Sequence, residues 1–107
     1  MRQGIKTDVS NAVQCELSAS MEKFPLFNSA HEGFAVILEE VEETKAEFDE
    51  IESHIQKLWS LIKANLNNPS LEMVKNIGGH AQLLACEAIQ VAAMCEKFEQ
   101  SAKNWRG

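Results

Sequence analysis

The sequence predicts an all-α protein: an antiparallel helical bundle built round a long central helix and completed by oligomerisation. Three observations predict it. Apolar residues recur at helical spacing along most of the 107 residues, and alternating β-branched runs do not occur. One long stretch keeps its apolar residues on a seven-residue repeat, as a helix does when it packs nearly parallel or antiparallel to another. Pro25 and the run Asn65-Leu66-Asn67-Asn68-Pro69 punctuate the chain into helical segments.

The first helix is expected from about Asp8 to Lys23. Val13, Leu17 and Met21 recur at four-residue steps, and Pro25 ends the helix because its ring removes a donor and clashes with the preceding turn. Phe24, Leu26 and Phe27 then form an apolar linker, which predicts packing rather than flexibility. Asn28 or Ser29 can cap the next helix, since a short side-chain oxygen accepts from the free amides of the first turn.

That central helix carries Phe34, Val41, Phe48, Ile55 and Ile62 on one heptad series and Ile37, Thr44, Ile51 and Leu58 on the complementary one. A helix of about 35 residues extends roughly 50 Å, longer than a compact domain of this size is wide. The short first helix cannot cover such a seam, so a second chain is expected to complete a homodimer or a dimer of dimers. A plain coiled-coil strand would carry the same seam.

Asn68 is expected to cap the third helix, with Pro69 at its first position, where a missing amide costs nothing. The helix should run from Pro69 or Ser70 to about Lys103. Gly78-Gly79 costs about 2 kcal/mol relative to alanine in a helix interior, which predicts a kink or break there. Beyond it Leu84, Ala88, Val91, Cys95 and Phe98 repeat the four-three spacing.

This length suits a single domain, residues 1–107. No segment approaches the roughly 18–20 apolar residues that span a bilayer, and no apolar core follows Met1-Arg2-Gln3-Gly4-Ile5-Lys6 as a secretory leader would require. The chain therefore reads as cytoplasmic, without a membrane partner. Cys15, Cys86 and Cys95 lack metal-ligand spacing and read as buried, reduced small hydrophobes. A net charge of −6 argues against nucleic-acid binding by a basic patch. It leaves a nucleotide open, because a bound metal inverts the local charge.

The acidic residues carry the chemical information. Glu40 with Glu43, and Glu87 with Gln90, are each three apart and so share a helix face. With Val41 and Ala88 taken as seam positions, both pairs flank the seam on the same side, by the same angles. Antiparallel packing then brings all four side chains into one groove, suited to a hard cation such as Mg²⁺. The midpoint between the pairs falls at Asn65, on the edge of the turn. Glu47 and Glu50 extend this flank, whereas Glu39 and Glu42 point farther from the seam.

Glu39-Glu40-x-x-Glu43 followed by Glu87-x-x-Gln90 resembles the EExxE…ExxD signature of the MazG-like, all-α nucleoside triphosphate pyrophosphohydrolases. Phe24-Pro25, the run Phe27 to Glu40 and the run Glu87 to Met94 look like blocks of a small phage- and prophage-type branch. These blocks cover about a quarter of the chain.

The resemblance implies a helical oligomer that holds Mg²⁺, or Mn²⁺, and hydrolyses a nucleoside triphosphate to monophosphate and pyrophosphate. By motif position Glu40, Glu43 and Glu87 are the metal ligands and Glu39 an accessory acid. Gln90 stands where an aspartate is usual; its carbonyl can ligate but brings no charge and cannot act as a base. Glu39 or Glu47 can accept the proton of the attacking water.

Lys45, Lys57, Lys63, Lys75 and Lys97 are candidate phosphate contacts, as well as solvated helix lysines. His31 can touch a base or phosphate, or hydrogen-bond the backbone of its own first turn. Trp59 can stack on a nucleobase or pack at an interface. Trp105, near the terminus, can pack on a neighbouring subunit. The rival readings are a catalytically silent helical assembly protein of the same fold and a coiled-coil adaptor without a ligand.

Overall fold

The computed structural model describes residues 2–105; Met1, Arg106 and Gly107 lie outside the described residues. The described chain is all-α, with three helices in the order α1 (Gln3–Lys23), α2 (Ala30–Lys63) and α3 (Asn67–Ala102). No strand occurs among the described residues. The helix α2 is long, as its heptads predict, and packs along α3 as an antiparallel hairpin, while α1 lies chiefly against α3.

The hairpin turn is a C-cap with two specific bonds. Asn65 takes a left-handed conformation, φ 57°. Its amide donates to the Ile62 carbonyl at 3.0 Å, and the Leu66 amide donates to the Leu61 carbonyl at 3.0 Å. Paired bonds of this kind close a helix on carbonyls that would otherwise lack partners, and asparagine tolerates the left-handed position. The turn is consequently tighter than the sequence suggests. Helix α3 starts at Asn67, before rather than at Pro69, and Asn68 is not its cap. Pro69 still falls in the first turn, where its missing donor breaks no bond.

Ser29 caps α2, its hydroxyl accepting from the Glu32 amide at 3.2 Å. Asn28 instead donates its side-chain amide to the Glu32 carboxylate at 3.3 Å. Helix α1 begins at Gln3, five residues ahead of the expected Asp8, and has no side-chain cap. The Gly78-Gly79 pair does not break α3, which runs unbroken through it.

The core sits at one end of the hairpin. Val13 and Leu17 of α1, Phe27 of the linker, and Ala93 and Met94 of α3 are buried together, with Met21, Val36, Ile37, Ile89, Phe98 and Trp105 packed round them. The linker is packed at Phe27, which is 5 % exposed, whereas Phe24 departs from the expectation and stays 69 % exposed. The Phe27 amide donates to the Ser101 hydroxyl at 2.9 Å, and the Phe27 carbonyl accepts from Trp105 Nε1 at 3.1 Å. Trp105 meets Phe98 edge-on, 5.0 Å between ring centres, and so packs within its own chain.

The cysteines correct their expectation. Cys15, Cys86 and Cys95 are free but exposed in the single chain, because they lie on helix faces that the hairpin and α1 leave uncovered. No helix of the described residues is long and apolar enough to cross a membrane.

Candidate metal centre

The antiparallel register places residues equally far from Asn65 at the same level. Glu43 and Glu87 are such a pair, as are Glu40 and Gln90. Glu40, Glu43 and Glu87 each bring one carboxylate oxygen into a group whose atoms lie within 4.8 Å of one another. Two of the three carboxylates, Glu40 and Glu87, hold their protons more tightly than usual. Glu40 is pushed above the ordinary 4.5 by burial first, then by the charges of Glu43, Glu87 and Glu39. Glu87 is raised by burial, then by a hydrogen bond with Glu43 and by the charges of Glu43 and Glu47. Like charges this close disfavour ionisation, and a multivalent cation would relieve the same repulsion.

Gln90 is not turned wholly toward this trio. Its amide Nε2 donates to the Glu16 carboxylate of α1 at 2.6 Å. Glu16 thereby brings a carboxylate to Gln90, outside the trio itself, and nothing in the spacing of the acidic pairs singles it out. One signal was available: Glu16 precedes the apolar position Leu17 by one residue, as Glu40 precedes Val41 and Glu87 precedes Ala88.

A cavity of about 650 Å³ opens beside the carboxylates, where α1 closes over one side of the hairpin. Glu40, Gln90 and Glu16 line one part of it. Lys97 and Lys23 line another, with Phe24 and Phe27 as an apolar wall. Lys97 is the notable member, only 2 % exposed. Its ammonium donates to the Ser20 hydroxyl at 2.9 Å and lies 4.8 Å from the Phe27 ring centre.

Burial holds its pKa below the usual lysine value, while the Glu32 charge acts in the opposite sense. An ammonium has three donors, and only this one hydrogen bond to the chain is formed among the described residues. Among the lysines the sequence offered, Lys97 is the one that lines the cavity with the acidic residues; spacing along the chain does not reveal it, because the docking of α1 selects it.

The remaining predicted residues lie elsewhere. Glu39 is exposed beside Glu40. Glu47, half-buried, accepts from His80 Nδ1 at 2.9 Å. His31 and Lys57 are exposed, and Trp59 is 56 % exposed with the Lys63 ammonium 5.6 Å from its ring centre. None of His31, Lys57 and Trp59 lines the cavity beside the carboxylates. Comparison of the chain with models of known families, with curated proteins and with solved structures found no match.

Proposed function

We propose that this chain is a Mg²⁺-dependent nucleoside triphosphate pyrophosphohydrolase of the MazG-like kind, acting as a homo-oligomer. The observation that carries the reading is the meeting of Glu40, Glu43 and Glu87 within 4.8 Å, at the edge of a cavity that holds a buried lysine. A hard divalent cation fits the donor set, being all oxygen, anionic and crowded. When bound, Mg²⁺ would neutralise phosphate charge and favour ionisation of a water.

The chain's own residues supply the rest. Lys97 has donors to offer the phosphates, and Phe24 and Phe27 give a nucleobase or ribose an apolar surface. Glu47 or Glu39 would take the proton of the water that attacks between the α- and β-phosphates. Glu16 holds the Gln90 side-chain amide and lines the same cavity as Glu40. Self-association is supported by the apolar series Phe34, Val41 and Phe48, which stays 43–62 % exposed in the single chain.

The test is pyrophosphate release from a panel of nucleoside triphosphates with Mg²⁺ or Mn²⁺. Turnover that disappears in Glu43→Gln and Lys97→Met is the expected result. Absence of turnover with every triphosphate and both metals would reject the enzyme. It would favour the second reading, a silent assembly protein of the same fold, for which Gln90 in place of an acid is the specific support.

A further inference from the structure

Two turns beyond the carboxylate trio, the same side of the hairpin carries a second cluster of different chemistry. Glu50, His54 and His80 each offer one ligand atom, and these atoms lie within 4.8 Å of one another. Glu50 and His80 are equally far from Asn65, so the register that joins Glu43 to Glu87 also joins these two. The histidine rings are tilted at 57° with centres 4.9 Å apart.

Each ring has an acceptor beside its Nδ1. His54 Nδ1 is 2.7 Å from the backbone carbonyl of Glu50, an atom that can only accept. His80 Nδ1 is 2.9 Å from the Glu47 carboxylate, an acceptor when ionised. A ring whose Nδ1 donates to such an acceptor keeps Nε2 as the atom able to ligate. Anchoring one ring nitrogen on a carbonyl or carboxylate while the other is left to ligate is the usual outer arrangement of a metal-binding histidine.

We propose that Glu50, His54 and His80 form a second metal site, for a borderline divalent ion of the Zn²⁺ class, with Glu47 orienting His80 from the outer shell. Two imidazoles and one carboxylate suit such an ion, whereas Mg²⁺ prefers oxygen alone. Three protein ligands leave a coordination position for water or a substrate oxygen. Glu47 stands between the two clusters, bonded to His80 and felt electrostatically by Glu87. The two sites therefore lie on one polar strip and share a neighbour. The inference does not depend on hydrolysis of a triphosphate.

The experiment is calorimetric titration of the metal-free chain with Zn²⁺ while Mg²⁺ is held in excess, alongside Co²⁺ absorption spectra and ¹⁵N resonances of the histidine rings. One Zn²⁺ per chain is expected, with both Nε2 resonances shifting. Glu47→Gln should weaken binding by the roughly 10–100-fold that loss of an outer-shell partner costs. His54→Gln and His80→Gln should each weaken it at least as much, and Glu87→Gln should leave it in place. The Co²⁺ spectrum should show nitrogen and oxygen ligation without the thiolate charge-transfer band that the exposed cysteines would give. Zn²⁺ affinity unchanged in the His54→Gln/His80→Gln double variant would overturn the site. So would ring resonances of the unmutated chain that ignore Zn²⁺, a result independent of whether any variant folds.

Discussion

At Gly33 the backbone of α2 runs so close to α3 that an added Cβ would lie 2.5 Å from Cδ2 of Phe98 and 3.1 Å from Cδ2 of Phe27. Gly33→Ala must displace one of two rings that are themselves packed into the core. The expected loss is about 1–3 kcal/mol, the range of core overpacking, measurable by urea denaturation. The carboxylate trio gives a prediction of opposite sign. Glu40 and Glu87 hold protons more tightly in the folded chain than at the ordinary 4.5 of the unfolded one. Their contribution to stability is complete below that value and lost as pH rises through the raised folded values.

Glu43→Gln removes a charge that raises both groups. It should stabilise the metal-free chain near neutral pH by about 0.2–0.5 kcal/mol per relieved pair and abolish stabilisation by Mg²⁺. In the unmutated chain, the rise in melting temperature on adding Mg²⁺ should be larger at pH 7 than at pH 5, since protons compete for the same oxygens. A Mg²⁺ effect that is equal at the two pH values would place the cation elsewhere.

At the level of helices, the sequence is legible wherever a residue acts within its own element. Ser29 as a cap, Asn65 at the hairpin and the heptads of α2 depend on local backbone chemistry and spacing, and the structure places each as its residue type dictates. Asn68-Pro69 misled by two residues because the bonds to Ile62 and Leu61 close α2 more tightly than composition discloses. Glu40, Glu43 and Glu87 were readable because one register relates two long helices. Glu16 and Lys97 were not, since their place depends on how α1 docks on α3, and a short amphipathic helix does not specify that angle. His54 and His80 escaped because their pairing needs the same register argument carried two turns farther along the strip.

Gly78-Gly79 misled in another way. Continuous hydrogen bonding carries α3 through the pair, and a Cβ added at either position meets nothing within 4 Å. Gly78→Ala and Gly79→Ala should therefore each stabilise the chain by roughly 0.5–1 kcal/mol. Thermal unfolding of the two variants checks this, and a fall in melting temperature would mean that a second chain approaches α3 at that point.

The whole molecule is an elongated hairpin with two unlike sides. One side carries the strip from Lys97 through the carboxylates to His54. The other is apolar: Val41, Phe48, Leu84, Ala88 and Val91 line one groove, and Phe34, Ile37, Cys95 and Phe98 line another. The extents are 61 × 30 × 23 Å and the radius of gyration is 18.2 Å, against about 13 Å for a compact chain of this length. Its accessible surface is 7737 Å², where a compact monomer of this mass exposes about 6,000 Å². That excess of surface is larger than the roughly 800 Å² one partner loses in a standard protein interface.

A second copy laid along the apolar side would cover Phe34, Val41 and Phe48 while leaving the acidic strip open to a ligand. Phe48→Glu places a charge in the middle of that face, at a side chain already 50 % exposed in the single chain, so the fold of the protomer should survive. The expected outcome is a shift from dimer or dimer of dimers to monomer in sedimentation velocity, with helical circular dichroism retained. Melting temperature should rise with concentration for the unmutated protein and lose that dependence in the variant. If the unmutated chain sediments as a monomer at every concentration tried, the apolar face has some other occupant and the oligomeric part of the proposal fails, while the metal titrations still stand on their own.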